Sequence, residues 1–254
     1  MSRRRVRLVD VRLPVDEKGR ARIAACGDWH LGARHCMEEK LDEFLAMCLE
    51  KGIYLLCMGD QLEMAHKTSV GAGVFEQDDP DSQINRVIDK LRPFQEAGLL
   101  IGVHDGNHEK RLFKIAGVNI TALICQTLGC RYLNHAAFHR VLVGKQSYTM
   151  FTTHGSSGAR LPWTKIKAAM DQFRFVDSDL ILYGHTHGLD HTTQLFRVVD
   201  KRNKKVSHRV RHACLTGSWL GYGGYAEQKN MPPVPIGSPI VTLYSEQNEI
   251  RVTL

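Results

Sequence analysis

Seven side chains able to hold a metal ion recur along the chain in short clusters: Asp28 with His30, Asp60, Asn107, His154, and His185 with His187. Carboxylate, imidazole and amide donors without thiolates suit borderline or hard divalent cations such as manganese, iron, zinc or nickel. Seven donors are too many for one tetrahedral zinc. They match two divalent metal ions that share a bridging carboxylate, with manganese as the first expectation and iron, zinc or nickel as alternatives.

Each cluster comes directly after an apolar run. Ile23 to Cys26 leads to Gly27-Asp28-Trp29-His30, and Ile53 to Met58 leads to Gly59-Asp60. Leu99 to Val103 precedes Gly106-Asn107-His108-Glu109. Tyr148 to Thr153 precedes His154-Gly155, and Leu180 to Tyr183 precedes Gly184-His185-Thr186-His187. Short apolar runs bounded by glycine read as buried strands. The polar clusters then lie at strand C-terminal ends, where open α/β sheets place their chemistry. In Asp-x-His and His-x-His, residues i and i+2 at a strand end are expected to point the same way.

The remaining pattern supplies the supports. Residues 5–13 read as an exposed strand, Cys36 to Lys51 as a helix stopped by Gly52, and Ala65 to Asp81 as a long functional loop. Ser82 to Ala97 reads as a helix that Pro93 should kink or end early. Lys110 to Ala116 and Asn119 to Leu128 read as helices, the second capped by Asn119. A hairpin turns at Gly144-Lys145, Leu161 to Phe173 is helical, and a second hairpin runs from Leu189 to Leu215 around a basic tip. Ile240 to Tyr244 and Glu249 to Leu254 are the last strands. With no repeat or linker, residues 1–254 are expected to form a single domain.

The net charge of +7 favours an anionic partner, nucleic acid among them. Seven cysteines with no C-x-x-C pair read as buried thiols of a reducing compartment. No apolar run has signal-peptide or membrane-spanning length, so a cytoplasmic location without a membrane partner is expected.

Asp28-Trp29-His30, Gly59-Asp60, Gly106-Asn107-His108-Glu109, His154-Gly155 and Gly184-His185-Thr186-His187, in this order, resemble the five signatures of the calcineurin-like metallophosphoesterases. The resemblance implies a four-layer α/β/β/α sandwich around two central mixed β-sheets. It gives Asp28, His30, Asp60 and His187 to one metal and Asp60, Asn107, His154 and His185 to the other, with Asp60 bridging. It makes His108 the imidazole that protonates the leaving oxygen, and it suggests Glu63, three residues after Asp60, as the acid that orients His108. Two cations about 3.5–4 Å apart clamp phosphate oxygens and acidify a bridging water, whose hydroxide attacks phosphorus.

Gln61-Leu62-Glu63-Met64-Ala65 lacks the arginine that protein phosphatases of this superfamily carry after the bridging aspartate. Asp28-Trp29-His30-Leu31-Gly32 is similar to the opening motif of DNA-repair exonuclease subunits, and the tail from Thr216 resembles phage and prokaryotic phosphoesterases. Trp29, Trp163, Trp219, Tyr222 and Tyr225 are candidates for base stacking. Arg111 and Arg160, with Lys165 and Lys167, are candidates for phosphate contacts. The expected function is hydrolysis of phosphodiester bonds in nucleic acid. The alternatives are a phosphomonoesterase or a small- or cyclic-nucleotide phosphodiesterase, and a non-catalytic scaffold on this fold.

Overall fold

The computed structural model describes residues 6–65, 78–223, 227, 230 and 232–254. The strands are β1 (Arg7–Leu13), β2 (Arg20–Cys26), β3 (Tyr54–Cys57), β4 (Leu100–Val103), β5 (Ala136–Val143), β6 (Gln146–Thr153), β7 (Leu180–Tyr183), β8 (Leu189–Asp200), β9 (Lys205–Thr216), β10 (Ile240–Tyr244) and β11 (Ile250–Thr253). The helices are α1 (Glu38–Glu50), α2 (Pro80–Glu96), α3 (Glu109–Ala116), α4 (Ile120–Leu128) and α5 (Pro162–Met170).

The strands form two mixed sheets. One has the order β1-β5-β6-β7-β9-β8, the other β11-β10-β2-β3-β4. Strand alternation sorts the side chains into layers. In β2, Ile23 and Ala25 face the space between the sheets, where Leu56, Met58, Tyr148, Met150, Leu180, Leu182 and Val241 meet them. Ala24 and Cys26 face the other way, onto Leu41, Leu45 and Cys48 of α1 and Val87, Leu91 and Phe94 of α2. On the far side, Phe151, Ile181, Ala213 and Leu215 pack against Ala169 of α5. Helices therefore cover both outer faces of a two-sheet sandwich, an α/β fold of four layers.

The parallel pairs matter most for the site. β2, β3 and β4 run parallel to one another, as do β6, β7 and β9. Their C-terminal ends gather at one pole.

Two local expectations need correction. α2 begins at Pro80, because the Asp79 side chain accepts a hydrogen bond from Ser82 N at 2.9 Å and caps it there. It runs through Pro93 to Glu96; a proline in the last turn removes one hydrogen bond without stopping the helix. The helix expected through Phe173 ends at Met170 and tightens into a 3-10 turn over Asp171–Arg174. Most of the expected 65–81 loop, His66, the first five residues and Tyr225 lie outside the described residues.

A candidate dimetal centre

The seven donors converge at that pole from turns, not from the strands themselves. β2 ends at Cys26, two residues before Asp28. Asp28, His30, Asp60, His185 and His187 all have positive φ, between 50° and 66°. Such conformations cost about 1–3 kcal/mol each for non-glycine residues and cluster at functional sites. The expected i, i+2 strand geometry is thus replaced by tight left-handed turns, held by backbone bonds across the sheet. Asp28 N donates to Gly59 O at 2.8 Å and His30 N to Asp60 O at 3.0 Å. Gly106 permits the closest approach: a Cβ there would lie 1.9 Å from Asp60 Oδ1.

Side-chain donor atoms form three overlapping groups: Asp28, His30 and His187; Asp60, His154 and His185; and His30, Asp60 and His108. His187 Nε2 is 3.2 Å from Asp28 Oδ1 and 3.1 Å from His30 Nε2. His154 Nε2 is 3.2 Å from Asp60 Oδ2 and 3.1 Å from Asn107 Oδ1.

The proton positions test whether cations fit. His30 donates from Nδ1 to Glu63 Oε2 at 2.9 Å, and His154 donates from Nδ1 to Met58 O at 2.9 Å. Both rings then turn the lone pair of Nε2 inward, toward carboxylate and amide oxygens that are also lone pairs. Asp28 Oδ1 is buried and makes no hydrogen bond. Burial opposes charge on His154, yet the Asp60 and Asp28 carboxylates outweigh it and raise its pKa to about 10, so the Nε2 lone pair draws positive charge into the cluster. The buried donors call for positive charge between them, so they fit a pair of divalent cations.

Glu63 lies between two imidazoles. His108 Nδ1 donates to the Glu63 carbonyl at 2.9 Å and lies 3.2 Å from its Oε2, the oxygen that also serves His30. Burial resists ionisation of Glu63, but the His108 and His30 imidazoles hold its carboxyl far below the usual range. Arg111 donates to Glu63 Oε1 at 3.0 Å and to its carbonyl at 2.8 Å, and its other nitrogen lies 3.0 Å from His108 Nε2. Arg111 therefore flanks the site with its charge committed to Glu63.

Glu109, the last residue of the Gly106-Asn107-His108-Glu109 cluster, braces the candidate centre. It is buried, and its carboxylate accepts from Gly106 N at 2.8 Å, Leu62 N at 3.1 Å and Asp60 N at 3.2 Å. It ties the Asp60 turn to the Asn107 turn. Burial and the nearby Asp60 carboxylate push its pKa up to about 7. The only sequence signal for this was its place at the first position of a helix, where an acid is favoured.

The aromatic candidates divide. Trp29 is sealed in the core and donates from Nε1 to Cys26 Sγ at 3.1 Å, where Trp219 Nε1 also arrives at 3.2 Å. Neither indole can stack a base, which corrects the expectation for both; their helix-covered layer needed large apolar side chains. Trp163, at the start of α5, is 65% exposed. Tyr222 and Arg160 are exposed as well.

A family model for calcineurin-like phosphoesterases matches residues 21–189. Among solved structures, that of a Vps29 double mutant from Entamoeba histolytica is 16% identical, with 91% of this chain and 89% of that chain covered and a TM-score of 0.44. A conserved uncharacterized protein of Streptococcus pneumoniae, described as a predicted phosphoesterase, is 11% identical over 92% of this chain and 88% of that one, with a TM-score of 0.37. No curated protein sequence matches the chain.

Proposed function

Because the chain belongs to the calcineurin-like phosphoesterase family, we propose that this metal-dependent phosphoester hydrolase is a phosphodiesterase acting on nucleic acid. The observation that carries the reading is the set of inward-facing lone pairs on His30, His154, Asn107, Asp28 and Asp60, with one imidazole, His108, at its edge. Asp28, His30, Asp60 and His187 would hold one cation, and Asp60, Asn107, His154 and His185 the other. Two such cations neutralise phosphoryl oxygens and activate water as a nucleophile.

The chain's own groups do the rest. His108 is fixed through Nδ1 by Glu63, and its Nε2, 3.9 Å from Asp60 Oδ2 and 3.0 Å from an Arg111 nitrogen, would face a leaving oxygen once that guanidinium turns to the substrate phosphate. An imidazolium there delivers the proton that a departing alkoxide requires. Glu63 orients His30 and His108 together, so one carboxylate couples a metal donor to the proton donor. Arg111 neutralises Glu63, and its remaining reach toward His108 Nε2 places a cation beside the substrate.

Two features favour a polynucleotide diester over a monoester. The turn after Asp60 supplies no phosphate-gripping arginine; its Gln61 and Leu62 are buried. The β8–β9 hairpin also carries seven Lys and Arg against two Asp, five of the chain's net seven positive charges. A polyanion recruits such a surface and a small ester does not.

The test is a panel of metal-free protein reloaded with Mn, Ni, Zn or Mg and offered bis-p-nitrophenyl phosphate, p-nitrophenyl phosphate, and single- and double-stranded DNA and RNA. Hydrolysis of the diester and at least one nucleic acid supports the reading. Activity confined to the monoester would replace it with a phosphomonoesterase. Failure to bind metal at all would point to a scaffold on this fold.

A further inference from the structure

Lys165 stands apart from the other lysines of its helix. It is only 9% exposed, and among the described residues no hydrogen bond or ion pair engages its ammonium. Lys167, two positions on, is exposed and paired with Asp171. Lys165 also lies close to the candidate centre. α5 starts at the catalytic pole, eight residues after His154, and helical side chains lean toward the N-terminal end of their helix.

The stem of Lys165 lies against Gly188, the residue directly after His187. A Cβ on Gly188 would come within 3.3 Å of Lys165 Cδ and 2.7 Å of Leu215 Cδ1. The glycine thus leaves the space that the lysine fills, along the back of the His185-Thr186-His187 turn. Burial of the stem lowers the pKa of this lysine, while its ammonium, which is not among the buried polar atoms left without a partner, keeps an opening to solvent. A cation held on a packed stem, open to solvent at its tip and without a counter-ion in the protein, is preorganised for an anionic group of a ligand.

We infer that Lys165 binds a substrate phosphate neighbouring the scissile one, and so makes the centre select for strands over isolated diesters. The inference rests on the polynucleotide reading above. The ligand class is a phosphodiester or terminal phosphate one nucleotide from the cut.

The experiment compares wild type with Lys165→Met and Lys165→Arg on thymidylyl-thymidine, which has one phosphate, and on the same dinucleotide with an added 5′- or 3′-terminal phosphate. For Lys165→Met, kcat/KM should fall about tenfold more on one of the phosphorylated dinucleotides than on the parent, the scale of a charge-assisted hydrogen bond. Lys165→Arg should recover part of that difference. The salt slope for binding a non-cleavable oligothymidylate should shrink by about 0.7, one phosphate contact on a single strand. The melting temperature of Lys165→Met should stay close to that of wild type, because methionine keeps the packed stem and the ammonium that it lacks makes no bond within the described residues.

Equal losses on all three dinucleotides, no loss on any, or a lowered melting temperature would overturn the assignment in favour of a packing role. If wild type cleaves bis-p-nitrophenyl phosphate but none of the dinucleotides, the polynucleotide reading itself falls and this inference with it. The wild-type rates decide the first question and the variant ratios the second.

Discussion

At the scale of single residues, the proposed proton donor and the proposed metal donors are separable. His108 is held by Glu63 through Nδ1 and is not needed to complete either metal-donor set. His108→Ala should keep its metal content and lose about 10²–10⁴-fold in kcat, the range for removal of a positioned acid; metal analysis beside steady-state rates checks both halves. Glu109 makes the opposite prediction. Its carboxylate accepts three N–H bonds, whereas a glutamine has one acceptor oxygen and turns an NH₂ toward another donor. Glu109→Gln should fold, as circular dichroism would show, yet weaken metal affinity about 10–100-fold, as loss of outer support to a metal site does. Wild-type affinity in a titration would refute the bracing role.

Among the elements, the β8–β9 hairpin departs most from the compact sandwich. β7 pairs with β9 only from His212 to Leu215, so Lys205 to Arg211 have β8 as their only paired strand. At about 3.3 Å per residue, that ribbon extends roughly 20 Å past the start of β7. It points away from the catalytic pole. Its outer face pairs Leu195 with Val210 and Val199 with Val206, all exposed, beside Arg197, Lys201, Arg202, Lys204 and Lys205. Replacing Arg197–His208 with an Asn-Gly turn should lower affinity for a thirty-base-pair duplex far more than turnover of bis-p-nitrophenyl phosphate. The salt slope of binding should fall by about 0.9 for each phosphate that the ribbon neutralises. An unchanged slope would show that the ribbon does not meet nucleic acid.

Over the whole molecule, the two sheets are joined near the site by a buried chain of polar groups. His139 donates from Nε2 to Thr152 Oγ1 at 2.8 Å, Thr152 donates to His104 Nε2 at 2.7 Å, and His104 donates from Nδ1 to Asn134 O at 2.9 Å. This direction of donation requires His104 to be neutral, and a proton on His139 Nδ1, which is buried without a partner, would be left unpaired. Burial, with His139 beside it, pushes His104 down to about 3, and burial with Arg131 nearby pushes His139 down to about 4. Both folded values lie below the unfolded value of about 6.5, so the unfolded chain binds more protons in between. The stability they contribute is complete above pH ~6.5 and is lost as pH falls toward 4, by up to about 1.4 kcal/mol per pH unit for each ring. Urea titrations of the metal-free protein between pH 4 and 7 should show this slope. His139→Gln, which keeps a donor for Thr152, should flatten it; an identical slope would remove His139 from the account.

The sequence by itself determined the candidate donors, the strands that precede them, and the two-sheet layering implied by the family signatures. Those features are local: an apolar run of period two and a glycine before an acid or imidazole lie within a few neighbouring residues. Tertiary structure decided how the donors that the family signatures group come to meet. His185 and His187 are two residues apart yet join different groups, because left-handed turns rotate their side chains toward different partners. It also decided that Trp29 belongs to the core, that Glu109 braces the Asp60 turn, and that the stem of Lys165 packs against Gly188 behind His187. Each depends on packing between segments some 20 to 190 residues apart. Strand order and turn geometry bring those segments together, and neither is written in the periodicity of a single stretch.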